Sequence, residues 1–209
     1  MITQEEYEII LKQCEQLPPA KGMYLIGDYI ENLLLTVLDF QMRNVSVEKA
    51  IAHYRDYRSS EIRSLDDLRS LLSQYTDDKA GNTAIAQYLW GYKYWNRISL
   101  MRKLVVFLES IDVESQEALV KWANTSTFEN DFKGKIHGMS YAIYKWLIMR
   151  QGVETIKPDI HVRRFVESII HRSDFADEEL VTSLEKVAGG LKLKAYELDW
   201  RIWEHQTSK

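Results

Sequence analysis

The chain has 209 residues, a formal net charge of −4 and a single cysteine, Cys14. That length suits one large domain or two small lobes sharing a cleft. A lone thiol excludes a disulfide framework and a cysteine-held iron–sulfur or metal centre, and the acidic balance argues against a general nucleic-acid binder, which carries a basic surface.

Three prolines and nine glycines are few for this length, so long amphipathic runs meet few breakers and the expected fold class is all-α. Residues 3–16 read as a short amphipathic helix that stops before Pro18 and Pro19. Tyr24 to Arg43 is a long apolar helical run carrying Leu25, Ile26, Ile30, Leu33, Leu34, Val37, Leu38 and Phe40. A third helix starts near Ser46 and ends near Tyr57. Ser64, followed by Leu65, Asp66 and Asp67, caps a fourth that reaches about Tyr75. Asp77 to Gly81 reads as a polar break, and an aromatic block follows it: Tyr88, Trp90, Tyr92, Tyr94 and Trp95. Arg97–Ser110 is helical. Asp112 and Ser115 are caps for a helix to about Ala123, and Asn124–Asp131 is a loop. Further helices are expected over Gly138–Arg150, Ile160–Arg172, Asp177 to a Gly189–Gly190 terminator, and Lys194 to about His205. No repeat or strand alternation stands out. The amino terminus lacks the basic start and apolar core of a signal peptide, and no apolar stretch reaches a membrane span. A cytoplasmic location is therefore expected, with no membrane partner.

Charge is not spread evenly. From Lys121 to Arg172 nine Lys/Arg stand against five acids, a local charge of +4 that leaves −8 for the rest. The same segment carries the residues that suggest chemistry. Lys133-Gly134-Lys135-Ile136-His137-Gly138 forms a glycine-bearing turn before an apolar helix, a geometry that offers backbone N–H groups to a phosphate. About one helix later, Asp159 follows Pro158 at the mouth of the next helix, in Pro158-Asp159-Ile160-His161-Val162-Arg163-Arg164. A phosphate cradle and a fixed carboxylate at this separation suit an enzyme acting on a nucleotide in a DNA backbone. By position alone Asp159 is also a plain helix N-cap. His137 and His161 lack metal-ligand spacing, and packing or a backbone hydrogen bond is their simpler role. The aromatic block could stack a base, but such clusters usually fill cores. Trp200 and Trp203, three apart, have the pattern of core anchors.

These residues resemble the helix-hairpin-helix DNA glycosylase superfamily, the endonuclease III-like fold. The family hairpin reads roughly L-P-G-V-G-x-K-T-A, and a helix later comes V-D-T-H-V-x-R. Here Lys135-Ile136-His137-Gly138-Met139-Ser140-Tyr141-Ala142 stands in the first place and Asp159-Ile160-His161-Val162-Arg163 in the second. Two remote phrases add to the likeness. One is Asn32–Gln41 followed by Val45-Ser46-Val47-Glu48-Lys49-Ala50, similar to the family's early helix pair. The other is Leu198-Asp199-Trp200-Arg201-Ile202-Trp203 near the end.

The resemblance implies two helical lobes with a helix-hairpin-helix motif and an interlobe cleft. One six-helix lobe would span residues 22–152, including the hairpin; the other would combine residues 1–21 with 153–209 and carry Asp159. It implies a monofunctional DNA glycosylase-like base-excision repair protein that hydrolyses the N-glycosidic bond of a damaged or mispaired base in double-stranded DNA. Asp159 would be the catalytic carboxylate. Gly134, Lys135, His137, Gly138 and Ser140 of the hairpin, with Arg163, would hold DNA, and Gln41 would fill the gap left by the everted nucleotide. Serine at 140 replaces the family's lysine. It has no amine to form a Schiff base, so strand cleavage is not expected. Ile136 stands where the first hairpin glycine falls. No cofactor and no metal are implied, the four-cysteine cluster of some relatives is absent, and a monomer is expected. The alternative is a non-catalytic DNA-structure-binding protein of the same fold; a helical interaction scaffold that has lost DNA contact is a third reading.

Overall fold

The computed structural model describes residues 1–22, 25–39 and 42–208. Among them every regular element is helical and none is a strand. The chain forms two compact units, one made of residues 1–25 with 140–209 and the other of residues 26–139. The later division falls between Met139 and Ser140. The local reason is visible in the helix after Ser140. Its Tyr141 packs on the core of the first unit, and its Lys145 ammonium lies 3.7 Å from Glu185, whose carboxylate also accepts from the Thr155 hydroxyl at 2.6 Å.

The second unit holds α2 (Tyr29–Leu38), α3 (Asn44–Tyr57), α4 (Leu65–Ser73), α5 (Lys79–Trp90), α6 (Trp95–Ser110), α7 (Gln116–Thr125) and a π-turn at Phe128–Phe132. Helix α5 packs along α6 and α3, and α2 packs on α6 and α3. Their buried faces bring together Ile30, Leu33, Leu34, Tyr54, Ile85, Leu89, Trp90, Met101 and Leu104. Helix α2 is shorter than its apolar run. Asp28 starts it by accepting from the Glu31 amide at 2.7 Å, a cap that satisfies one of the orphan donors of the first turn. Ser64 and Asp67 form the capping box expected for α4.

Helix α5 is the element the sequence hid. Asp77–Gly81 reads as a break because of its glycine and acids, yet Asp78 is an N-cap that accepts from the Gly81 amide at 2.8 Å. Gly81 therefore lies inside the first turn, and it is glycine for space. A Cβ there would sit 2.2 Å from the Thr76 carbonyl oxygen and 3.1 Å from its nitrogen, backbone atoms that cannot swing aside. Gly81→Ala is expected to cost about 2 kcal/mol, as overpacking against fixed atoms does. The shift of the urea midpoint at unchanged slope checks it. The helix ends at Gly91, whose φ of 75° closes it in the left-handed region.

The first unit holds α1 (Gln4–Glu15), α8 (Tyr141–Met149), α9 (Ile160–Ile170), α10 (Asp177–Gly190) and α11 (Ala195–Thr207). Helix α1 lies on α9 and α10, and α11 lies on α9 and α10. Ile10, Cys14, Ile156, Val162, Val166, Leu180, Leu184, Val187, Leu198 and Ile202 form its core. Helix α10 ends at the expected glycines. Gly189 and Gly190 are its last residues, and the chain reverses at Lys192, with φ 57°. Gly190 also serves packing: a Cβ there would meet the Tyr7 hydroxyl at 3.2 Å and Leu11 at 3.4 Å. Arg172, after α9, ties the amino terminus down. It donates to Glu6 at 2.6 Å and to the Met1 carbonyl at 2.8 Å, and its hydrogen bond holds the Glu6 carboxyl down at about 2. No helix among the described residues is long and apolar enough to cross a membrane.

Candidate functional site

Asp159 caps α9. Its Oδ1 accepts from the His161 amide at 2.8 Å and the Val162 amide at 3.1 Å, so the carboxylate is fixed in direction and sits in the favourable field of the helix start. Its own amide donates to the Lys157 carbonyl at 2.8 Å, closing a three-residue turn around the buried Pro158. Oδ2 faces the Lys157 ammonium at 3.9 Å, and about a fifth of the side chain is exposed. Capping consumes one oxygen of this acid and leaves the second oriented.

Behind it lies an acid that sequence reading passed over. Asp199 of α11 is buried and accepts from the Lys157 amide at 2.7 Å through Oδ1. Burial, reinforced by the nearby Asp159 charge, pushes its carboxyl up to about 8, which favours the neutral form. The signal was present in the sequence. Ala195, Leu198, Asp199 and Ile202 share one face at helical spacing, and all four are buried. An acid on an apolar stripe needs a partner. Trp200 and Trp203, expected as core anchors, instead pack on each other at 5.4 Å while half-buried. The Lys157 ammonium also lies 4.4 Å from the centre of the buried Trp146 ring. The guanidinium of Arg150 lies 4.7 Å from the same ring. Lys157 is thus held at its amide, its carbonyl and its ammonium.

The turn over Lys133–Met139 ends the second unit. Gly134 and Gly138 both have positive φ, 73° and 94°, values that L side chains rarely adopt. Lys133, Gly134, Lys135, His137 and Gly138 are exposed, whereas Phe132, Ile136 and Met139 are buried. Alternation of this kind anchors the turn by its apolar residues and turns its polar ones outward. Lys133 is paired with Glu129 at 2.8 Å. Ser140, exposed, is the N-cap of α8 but gives it no side-chain bond, while an α-helix opens with four amides that lack intrahelical partners. Ile136 is a core anchor with 2% exposure.

A family described as "Domain of unknown function (DUF8548)" matches residues 8–207. The chain belongs to this family. No curated protein matches the chain, and no solved structure does. The DUF8548 match spans both units and includes the turn, Asp159 and Asp199.

The remaining expected site residues fare differently. Arg163 is engaged within its own unit. It donates to the Phe175 carbonyl at 3.2 Å and to Asp177 at 2.5 Å, with Glu167 at 3.6 Å and the Phe175 ring beneath it. Arg164, next to it, is exposed. Gln41 lies outside the described residues. Of the aromatic block, Trp90 is fully buried, Tyr92 and Tyr94 stack on each other, and Tyr88 lies under Arg58. Burial pushes the Cys14 thiol up to about 12, which makes it inert. No cluster of three His, Cys, Asp or Glu among the described residues could hold a metal ion. The second unit has an open surface depression of about 290 Å³, lined by Glu61, Asp67, Tyr75 and Tyr88 among others; it includes none of the expected site residues.

Proposed function

We propose that this chain is a helix-hairpin-helix DNA glycosylase-like base-excision protein that acts on a damaged or mispaired base in double-stranded DNA. The observation that carries the reading is the Asp159 carboxylate, with one oxygen locked by two backbone amides and the other oriented beside Lys157. As the bond from C1′ to the base nitrogen stretches, the sugar becomes oxocarbenium-like and positive. A fixed anion near that carbon stabilises it without reorganising, or orients the attacking water. The base leaves with the electron pair of the broken bond; water delivers its oxygen to C1′ and a proton to the base. No cofactor enters. The exposed turn with glycines at 134 and 138 supports a phosphate grip by backbone amides, with Lys135 and His137 beside it. Such a grip fixes register and reads no sequence. The base would be everted to reach the carboxylate. Ser140 lacks an amine, so the expected product is an abasic site in an intact strand.

A second reading, a protein of the same fold that binds distorted DNA without catalysis, is favoured by one observation: both Asp159 oxygens have partners within the chain, the His161 and Val162 amides on one side and the Lys157 ammonium on the other.

Duplex oligonucleotides, each carrying one damaged or mispaired base, test the proposal. After incubation and hot alkali, at least one duplex is expected to break at the lesion, and without alkali none should. Lesion-preferring binding with no alkali-labile product on any duplex would establish the second reading. No DNA affinity at low salt would leave the fold as an interaction scaffold.

A further inference from the structure

We propose that Asp199 is a positioning residue for Asp159, holding the turn that aims the catalytic carboxylate. The inference rests on the function proposed above for Asp159, and deepens it. The connection is a chain of short hydrogen bonds inside the first unit. The Lys157 amide donates to Asp199 Oδ1 at 2.7 Å. The Lys157 carbonyl accepts from the Asp159 amide at 2.8 Å. Asp159 Oδ1 then accepts from His161 and Val162 at 2.8 and 3.1 Å. Pro158 is buried at the centre of the turn, and its ring fixes φ there, so few backbone torsions separate the Asp199 anchor from the Asp159 carboxylate. Asp199 is itself set by α11, whose Leu198 and Ile202 are fully buried on either side of it.

The choice of residue has a physical reason. The Lys157 amide needs a buried acceptor. A charged one so near Asp159 would oppose the negative charge that catalysis uses. A carboxyl kept neutral by burial accepts the bond and adds no anion. Asparagine would do the same. Leucine, of similar shape, would remove the acceptor and leave little cavity.

The test uses the full chain as wild type, Asp199→Asn and Asp199→Leu, with two readouts. One is single-turnover base release at saturating duplex, alongside the Kd for that duplex. The other is amide hydrogen exchange at Lys157, His161 and Val162. Asp199→Asn is expected within about threefold of wild type in both. Asp199→Leu is expected to lose at least about tenfold in rate with Kd within about threefold, and its three amides should exchange at least about tenfold faster. The proposal is overturned if Asp199→Leu keeps the wild-type rate, if its His161 and Val162 amides stay protected, or if Asp199→Asn fails as Asp199→Leu does. Should Asp199→Leu not fold, Asp199→Asn decides, since faster exchange at those amides would overturn the proposal and wild-type exchange would sustain it. A wild type inert on every duplex would sink the glycosylase reading. Exchange alone would then judge the positioning role.

Discussion

Asp159→Asn is expected to abolish base release while leaving the protein folded, with a loss of at least about a hundredfold in the single-turnover rate. The two halves of this expectation come from different oxygens. Oδ1 caps α9 through His161 and Val162, and asparagine is as good an N-cap as aspartate. Thermal unfolding should therefore move by no more than a few degrees. The charge is another matter. A preformed anion beside a developing cation lowers the barrier by roughly 3 kcal/mol, the scale seen when one preorganised electrostatic partner is deleted. Asparagine keeps the shape and removes that charge. Asp159→Ala would confuse the two roles, because it also costs about 1 kcal/mol of capping. Equal rates for the asparagine variant and wild type would show that Asp159 is a cap and nothing more.

The second large effect concerns stability against pH. The Asp199 carboxyl is pushed up to about 8 in the folded chain, whereas a free aspartate titrates at about 3.9. Between those values the native state holds a proton that the unfolded chain has released. Folding stability from this group is thus full below about pH 4 and is lost as pH rises through about 8, at up to about 1.4 kcal/mol per pH unit. Asp199→Asn cannot titrate. Urea unfolding of the two proteins at intervals from pH 5 to 8 should show the wild type losing stability relative to the variant by at least about 2 kcal/mol across that range. Parallel curves would mean that Asp199 is ionised in the native state. The turn at Lys157 would then be held by a charged acceptor beside Asp159.

What sequence reading reached, and what it missed, has local causes. Caps were legible because a short polar side chain before an apolar run has one main use: Ser64, Ser115 and Asp159 all accept from the amides of the turns they open. Helix α5 is hidden in the sequence because a glycine among acids has the look of a backbone break, whereas Gly81 is there for space against Thr76. Gly189 and Gly190 do mark the end of α10, although the left-handed reversal itself falls to Lys192. At the site, Asp159 announced itself by its proline and its helix. Asp199 did not, since Trp200 and Trp203 carry the stronger apolar signal on α11 although they are only half-buried. Its partner, the amide of Lys157, lies 42 residues away, a separation that no local pattern spans. The resemblance implies Arg163 as a DNA contact. Asp177, fourteen positions on, engages it at 2.5 Å.

The central claim is that the Asp159 carboxylate serves the breaking of an N-glycosidic bond. Mass spectrometry of the small molecules released from lesion-bearing duplex reads that bond directly. The expected result is one free modified base for each abasic strand formed by wild type, with the sugar–phosphate backbone uncut and none released by Asp159→Asn. A wild type that binds the duplex and frees no base, or an asparagine variant that frees it as fast, would contradict the account.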